Sequence, residues 1–269
     1  MTGSAALRVG RIAALNMYPL YHHLEAVGGP EFAFTDGVPT RLNRAVLDGQ
    51  LDVSAMSSIE FARNAAHLRL LPVASVTASG AVDSIELFSR VPFEAVRTVA
   101  VTPHSATSVA LLRVLLGPGP AFVPLEGPPA EALAEVDGVL LIGDEALTGF
   151  RTPFAEHRTD LGERWRALAG LPMVFAVWAA RTDLPERLEP ALGRLMALLT
   201  EARLRYEADP DAVVAAAAER FPFPPEFIAA YFTRLRYGFG AAERRGLERF
   251  LELAREAGEL RELPALAAA

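Results

Sequence analysis

Hydrophobic and polar positions fall into two textures along this chain, and the change comes near residue 180. In the first part, short apolar runs are each followed by a segment with helical spacing. Leu7 to Leu15, broken by Arg8, Gly10 and Arg11, predicts a strand, and "LNMYPLYHHLEAV" turns into a helix around Pro19. Phe32 to Thr35 predicts a second strand. In "VPTRLNRAVLDGQ", Thr40 is expected to cap a helix whose apolar face is Leu42, Ala45 and Val46, and Gly49 to end it. "LDVSAM" predicts a strand, and "SSIEFARNA" a helix opening on a capping box of Ser57 with Glu60. Leu70 to Phe88 alternates in places as a strand does, with Gly80 at a bend.

"TVAVT", "GVLLIG" and "MVFAVWAA" read as buried strands, which places Trp178 in the core. "HSATSVALLRVLLG" predicts a helix with hydroxyls at its mouth and Gly117 at its end, and "DEALTGF" a helix opening on two carboxylates. "GPGPAFVPLEGPP" is loop around one short strand. Beyond Ala180 the chain is rich in Ala, Leu, Arg and Glu, and Pro185, Pro210, Pro222, Pro224 and Pro225 divide it into about four helices. Strands alternating with helices predict an α/β fold with a largely parallel sheet, whose ligands bind at the C-terminal ends of the strands. That rule selects four stretches: Asn16 to Pro19, Ser54 to Ser58, Thr102 to Thr107, and Gly143 to Glu145.

Composition narrows the chemistry. The 269 residues are 51% hydrophobic, carry a net charge of -7 and include no Cys, and all 26 Lys-plus-Arg positions are Arg. Without Cys there are no disulfides, thiolate metal sites or thiol nucleophiles; without Lys there is no Schiff base and no Walker-type phosphate loop. An acidic chain without a basic block predicts no nucleic-acid partner. The longest apolar stretch, Leu171 to Ala180, is about half of the ~20 residues that span a bilayer. With Arg8 and Arg11 interrupting the apolar start, no membrane partner is expected and a cytoplasmic location is.

Free N–H groups and the helix dipole make each selected mouth an anion site. Ser57 and Ser58 add hydroxyls at one and Ser105 and Thr107 at another, although a hydroxyl there is also the ordinary helix cap. Asp144 and Glu145 suit either acid–base work or the dipole of the helix they open. His104 stands before the Ser105 mouth as a base near neutral pH or as a bystander, and His22 and His23 form no metal-binding pair. Tyr18, beside Asn16, is the aromatic expected nearest a planar ligand.

Six strings in order, "RIAALNMYPLYHHL", "VPTRLNRAVLDGQLDVSAMSSIEFAR", "SGAVDSIELFSR", "VTPHSATSVALLRVLL", "LLIGDEAL" and "DLGERWRALAGLPMVFAVWAAR", resemble the MqnA/MqnD family of the futalosine pathway of menaquinone biosynthesis. They look most like its MqnA branch, the chorismate dehydratases. The resemblance implies a two-lobed, periplasmic-binding-protein-like (type 2) α/β fold with the ligand in the cleft. One lobe would comprise residues 1–89 plus 178–269, and the other 90–177. The implied reaction is loss of water from chorismate to give 3-[(1-carboxyvinyl)oxy]benzoate, a carbon–oxygen lyase step that aromatises the ring and needs neither cofactor nor metal.

On this resemblance Asn16 and Ser84 are the catalytic candidates, positioning the substrate and its departing hydroxyl while a carboxylate of the substrate accepts the proton. Ser57, Ser58, Ser105, Ala106 and Thr107 would bind the carboxylates of the di-anion, with Arg41 adding charge and Tyr18, Asp144 and Glu145 completing the contacts. The sister MqnD branch, a lyase on a cyclic futalosine derivative, carries a His in the segment where this chain reads Gly143-Asp144-Glu145. That branch is the alternative among enzymes, and a non-catalytic cytoplasmic small-anion binding module the alternative outside them. The Arg/Glu pattern of the C-terminal helices suits either the cover of one lobe or a homodimer surface.

Overall fold

The computed structural model describes residues 6–27 and 29–266. Its first third runs β1 (Leu7–Ile12), α1 (Tyr18–Val27), β2 (Phe32–Gly37), α2 (Pro39–Leu47), β3 (Val53–Ser57), α3 (Ser58–Arg63) and β4 (Leu68–Ala78). The middle runs β5 (Ile85–Ser89), β6 (Thr98–Val101), α4 (Ala106–Leu116), β7 (Ala121–Pro124), α5 (Pro129–Ala132), β8 (Gly138–Ile142), α6 (Gly143–Arg151), β9 (His157–Asp160) and α7 (Leu161–Ala169). The last part is β10 (Met173–Arg181), α8 (Glu189–Ala208), α9 (Pro210–Arg220), α10 (Pro225–Phe232), β11 (Leu235–Arg236) and α11 (Ala241–Glu256). The four helices expected after Ala180 are therefore present, and Pro190, Pro210 and Pro225 lie in the first turns of three of them, where a missing N–H costs nothing.

The strands form two sheets, ordered β11-β4-β10-β3-β1-β2 and β7-β6-β8-β5-β9. Both are mixed, which corrects the expectation of a largely parallel sheet. β1 pairs parallel with β2 and β3, but β10 runs antiparallel to β3 and β4, because it returns from the second sheet. In the second sheet β6, β7 and β8 are parallel, while β5 runs antiparallel to β8 and β9. The chain thus passes between sheets at 79–84 and returns at 170–172. β5 belongs to the second sheet and all of β10 to the first, whereas the expected lobe boundaries lay at 89/90 and 177/178.

Local chemistry accounts for the differences at helix starts. Pro39 takes the first helical position of α2, so Val38 is the residue before the helix and Thr40 lies inside its first turn. Ser57 does precede α3, but its side chain accepts no hydrogen bond from the helix, and Glu60 bonds Arg63 at 2.6 Å. The expected capping box does not form, and the Ser57 hydroxyl is left for other work. Leu7 to Leu15 is strand only as far as Ile12 and tightens into a 3-10 turn at Leu15–Met17. Ser105 is the cap of α4, accepting from Ser108 N at 3.2 Å.

One apolar core runs through the first sheet and into the second, with Trp178 and Trp165 both buried. Trp165 of α7 meets Phe250 of α11 edge-on, so the chain's last helix is packed against the middle segment. No helix among the described residues is long and apolar enough to cross a membrane. α11 lies against the returning chain only because residue 246 is glycine: a Cβ there would run into the Pro172 carbonyl oxygen. Gly246→Ala is therefore expected to destabilise the fold by about 1–3 kcal/mol, read as a lower urea midpoint at unchanged slope.

Candidate active site

Where the chain crosses between sheets, a cavity of about 110 Å³ opens, lined from both sides. Its polar walls are Asn16, Ser57, Ser84, Ser105 and Ser108, and its apolar walls include Met17, Val76, Ile142 and Phe175. None of the lining side chains is ionisable. Each polar group is placed by the end of an element. Asn16 sits in the 3-10 turn after β1, Ser57 at the last position of β3, and Ser105 and Ser108 at the start of α4. Ile142 and Gly143 bring the start of α6 to the same cavity. The cavity's own walls present neutral dipoles and helix N-termini, with the Asp144 carboxylate just behind them.

Asn16 and Ser84 are held with unusual care. The Asn16 carbonyl accepts from the Tyr237 hydroxyl at 2.9 Å, while its side-chain oxygen is buried with no partner among the described residues. Ser84, 1% exposed, accepts at Oγ from the Tyr231 hydroxyl at 2.9 Å, and its carbonyl accepts from Gly143 N at 2.7 Å. Burial holds the Tyr231 hydroxyl well above the usual tyrosine range, so it keeps the proton it donates to Ser84. With one lone pair of Ser84 engaged, its own O–H is free to point elsewhere, and the cavity is where its surface lies. The two sides also touch directly: Leu15 N donates to Asp144 Oδ1 at 3.2 Å, and Ile59 N to Thr107 Oγ1 at 3.3 Å.

Comparison with known proteins identifies the family and the fold. Residues 7–256 match the family model described as menaquinone biosynthesis. The chain belongs to the menaquinone-biosynthesis family. It is 36% identical over 255 residues to a chorismate dehydratase of Thermus thermophilus, a match covering 88% of this chain and 91% of that one. Among solved structures it is similar to a Candida albicans gene product described as having the generic periplasmic binding protein fold (TM-score 0.68, 11% identity, 96% of this chain and 91% of that one). It is similar also to the alkanesulfonate-binding protein SsuA of Xanthomonas axonopodis pv. citri (TM-score 0.67, 20% identity, 97% and 96%). The fold of this family member is thus the two-lobed, periplasmic-binding-protein-like arrangement, with the cavity in its cleft.

Several expected contact residues of this menaquinone-biosynthesis protein stand elsewhere. Ser58 is fully buried, donates to Val174 O at 2.6 Å and is not among the lining residues. Thr107 is spent on Ile59 N, and neither it nor Ala106 is among the lining residues. Tyr18 turns its ring against Phe221 and its hydroxyl towards His22 Nδ1. Arg41 is exposed on α2, two residues beyond Pro39, which does reach the cavity. Asp144 and Glu145 line a separate apolar groove with Pro128, Pro129 and Phe154. Burial raises the Asp144 carboxyl above its usual range, and Leu15 N pulls it back in part.

Ser108, Tyr231 and Tyr237 were not expected. Ser108 follows from the helix turn alone, since it lies three residues after the Ser105 cap, on the same face. The tyrosines gave no local signal, because they reach Ser84 and Asn16 from 147 and 221 residues away in sequence. Tyr231→Phe keeps the ring and deletes one buried hydrogen bond. It is expected to cost about 1 kcal/mol, measurable by chemical denaturation, with Tyr237→Phe behaving alike.

Proposed function

We propose that this protein dehydrates chorismate to 3-[(1-carboxyvinyl)oxy]benzoate, a hydro-lyase step in menaquinone biosynthesis. The observation that carries the reading is a cavity walled by an amide and four serine hydroxyls, with no ionisable side chain among its lining residues. In this elimination the ring carbon bearing the enol ether loses a proton and its neighbour loses hydroxide. The C–H electron pair becomes the third ring double bond, and the two fragments leave as water. Aromatisation supplies the driving force, so the protein's task is to hold two carboxylates, keep the leaving hydroxyl hydrogen-bonded and exclude competing paths.

In this reading the start of α4, with Ser105 and Ser108, and Ser57 at the end of β3 receive the carboxylates through hydroxyls and helix N–H groups. Ser84, whose lone pair Tyr231 already occupies, donates its proton towards the departing hydroxyl. Asn16 orients the ring through a side-chain oxygen that has no other partner among the described residues. No lining group is a strong base, which supports a carboxylate of the substrate itself as proton acceptor. The same chemistry suits a cytoplasmic enzyme acting on a small di-anion, and the lobes on this reading divide at the two crossovers.

Purified protein incubated with chorismate should release water, followed by product mass and the ultraviolet spectrum of the aromatic ring. Asn16→Ala and Ser84→Ala are each expected to slow turnover at least about thirtyfold, roughly 2 kcal/mol of barrier. Ser58→Ala, by contrast, should keep turnover near wild type and lose stability instead. Turnover within about threefold of wild type in both cleft variants would remove these two residues from the reaction. Saturable binding of chorismate without any product would replace the lyase with a binding module.

A further inference from the structure

Behind the Ser84 wall, three carboxylates from two segments of the chain converge, with oxygens of Asp83, Glu86 and Asp160 all within 4.8 Å of one another. Glu86 on β5 is 0% exposed and Asp160 7%. Asp160 is well supplied with donors: Oδ2 accepts from Val82 N at 2.8 Å and Asp83 N at 2.7 Å, and Oδ1 from Glu163 N at 2.9 Å. Glu86 is not, since neither of its oxygens has a hydrogen-bond donor among the described residues. Two guanidiniums face the cluster. Arg158 Nε on β9 stands 3.9 Å from Glu86 Oε1, and Arg234 Nε beyond α10 stands 3.1 Å from Asp83 Oδ2.

The other elements against β5 add no further charge to Glu86. β8 places Leu141 opposite it, the Glu163 side chain of α7 is exposed, and Asp144 of α6 turns to Leu15 N. Three ionised carboxylates against two guanidiniums would leave one buried negative charge without a donor, a costly state. One retained proton removes it. Burial first, then Asp160 across the strand pair, pushes the Glu86 carboxyl up to about 9, while its Arg158 neighbour opposes the shift. Burial raises Asp160 too, but its three N–H donors hold it back, so Asp160 is the partner that keeps its charge.

We propose that Glu86 is a neutral carboxylic acid that donates its proton to Asp160, and that this acid–carboxylate pair is the positioning device for Ser84. The link is short. The same Asp160 carboxylate grips the N–H groups of Val82 and Asp83, and the next residue is Ser84. The positioning role rests on the reading of Ser84 given above; the proton sharing does not. A divalent cation fits the cluster less well than a proton, because Oδ2 of Asp160 is taken by two N–H groups and Asp83 is turned to Arg234, whereas hard cations demand six or more free oxygens.

The test compares the full chain with Glu86→Gln and Glu86→Leu. Glu86 in the fold keeps its proton to about 9, but in the unfolded chain releases it near 4.5. The proton therefore favours the fold fully below the lower value, and that contribution falls by one proton's slope as pH rises between the two. Wild type should lose stability across this window relative to Glu86→Gln, whose carboxamide donates to Asp160 without titrating. A protonated-carboxyl infrared band at neutral pH should vanish in Glu86→Gln.

With chorismate, Glu86→Gln should keep turnover within about threefold and hold it to higher pH. Glu86→Leu should lower kcat about tenfold with KM little changed, a loss that the Gln variant rescues. A stability difference that does not change with pH would overturn the proton sharing, as would a rise in wild-type Tm on adding Mg²⁺ or Ca²⁺ that Glu86→Gln lacks. Equal kcat in Glu86→Leu and wild type would overturn the positioning role. If the stability slope appears and chorismate is not consumed, the dehydratase reading fails and the proton sharing stands.

Discussion

Two backbone N–H groups ending on one carboxylate oxygen decide where this molecule's chemistry takes place. Val82 and Asp83 both donate to Asp160 Oδ2, in the segment where the chain leaves the first sheet for the second. The grip is tight on both sides. Asp83 adopts φ 58°, a left-handed conformation that Asp tolerates better than most residues. At the start of α7 any Cβ on Gly162 would strike the Gly80 carbonyl oxygen, so the helix and the crossover fit together only with glycine there. A crossover fixed in this way delivers Ser84 to the cleft as part of the fold itself, with no loop left to find its place.

The second constraint is that no side chain lining the cavity is ionisable. A di-anion in such a place is stabilised by fixed dipoles, and helix N-termini supply about half a positive charge each without a mobile side chain to order. Arg is abundant but spent elsewhere: Arg8 on Asp52, Arg11 on Asp36 and Glu25, Arg63 on Glu60 and Glu259. A lysine or arginine inside the cavity would bind the carboxylates more strongly, and would also lower the basicity of the very group that accepts the ring proton. On the dehydratase reading, a neutral wall therefore serves the reaction better than a strong anion trap.

Much of this arrangement is visible in the amino-acid pattern. Strand–helix alternation places Asn16, Ser57 and Ser105 at the mouths, since it depends only on local periodicity. Apart from the helix start at Pro39 and from Ser108, which are local, the misses share one physical cause, which is that pattern does not see neighbours distant in sequence. Ser57 and Ser58 are adjacent, yet one faces the cavity and the other bonds Val174 O on β10, a strand formed more than a hundred residues later. The antiparallel return of β10 is equally silent, because a buried strand reads the same in either direction. Tyr18 lies one helical turn from His22 and against Phe221 of the C-terminal part, and that second contact claims its ring. The resemblance to a family pointed to Ser84, which no local rule had selected.

The segment 231–237 shows what the late part of the chain contributes. Its two ends carry the hydroxyls that hold Ser84 and Asn16, so both cleft groups are referred to one short piece of backbone. That piece is itself fixed to the first sheet: β11 pairs Leu235 with Ala78 and Arg236 with Thr77, and Ser75 N donates to the Tyr237 carbonyl. Ala78 is the last residue of β4 before the crossover, so strand, crossover and tyrosine segment form a closed loop of contacts around Ser84. Catalysis by positioning requires this kind of closure, because a group free to wander by an ångström loses most of its effect. The helical tail thus completes the site that the first two thirds of the chain begin, although it supplies none of the cavity's lining residues.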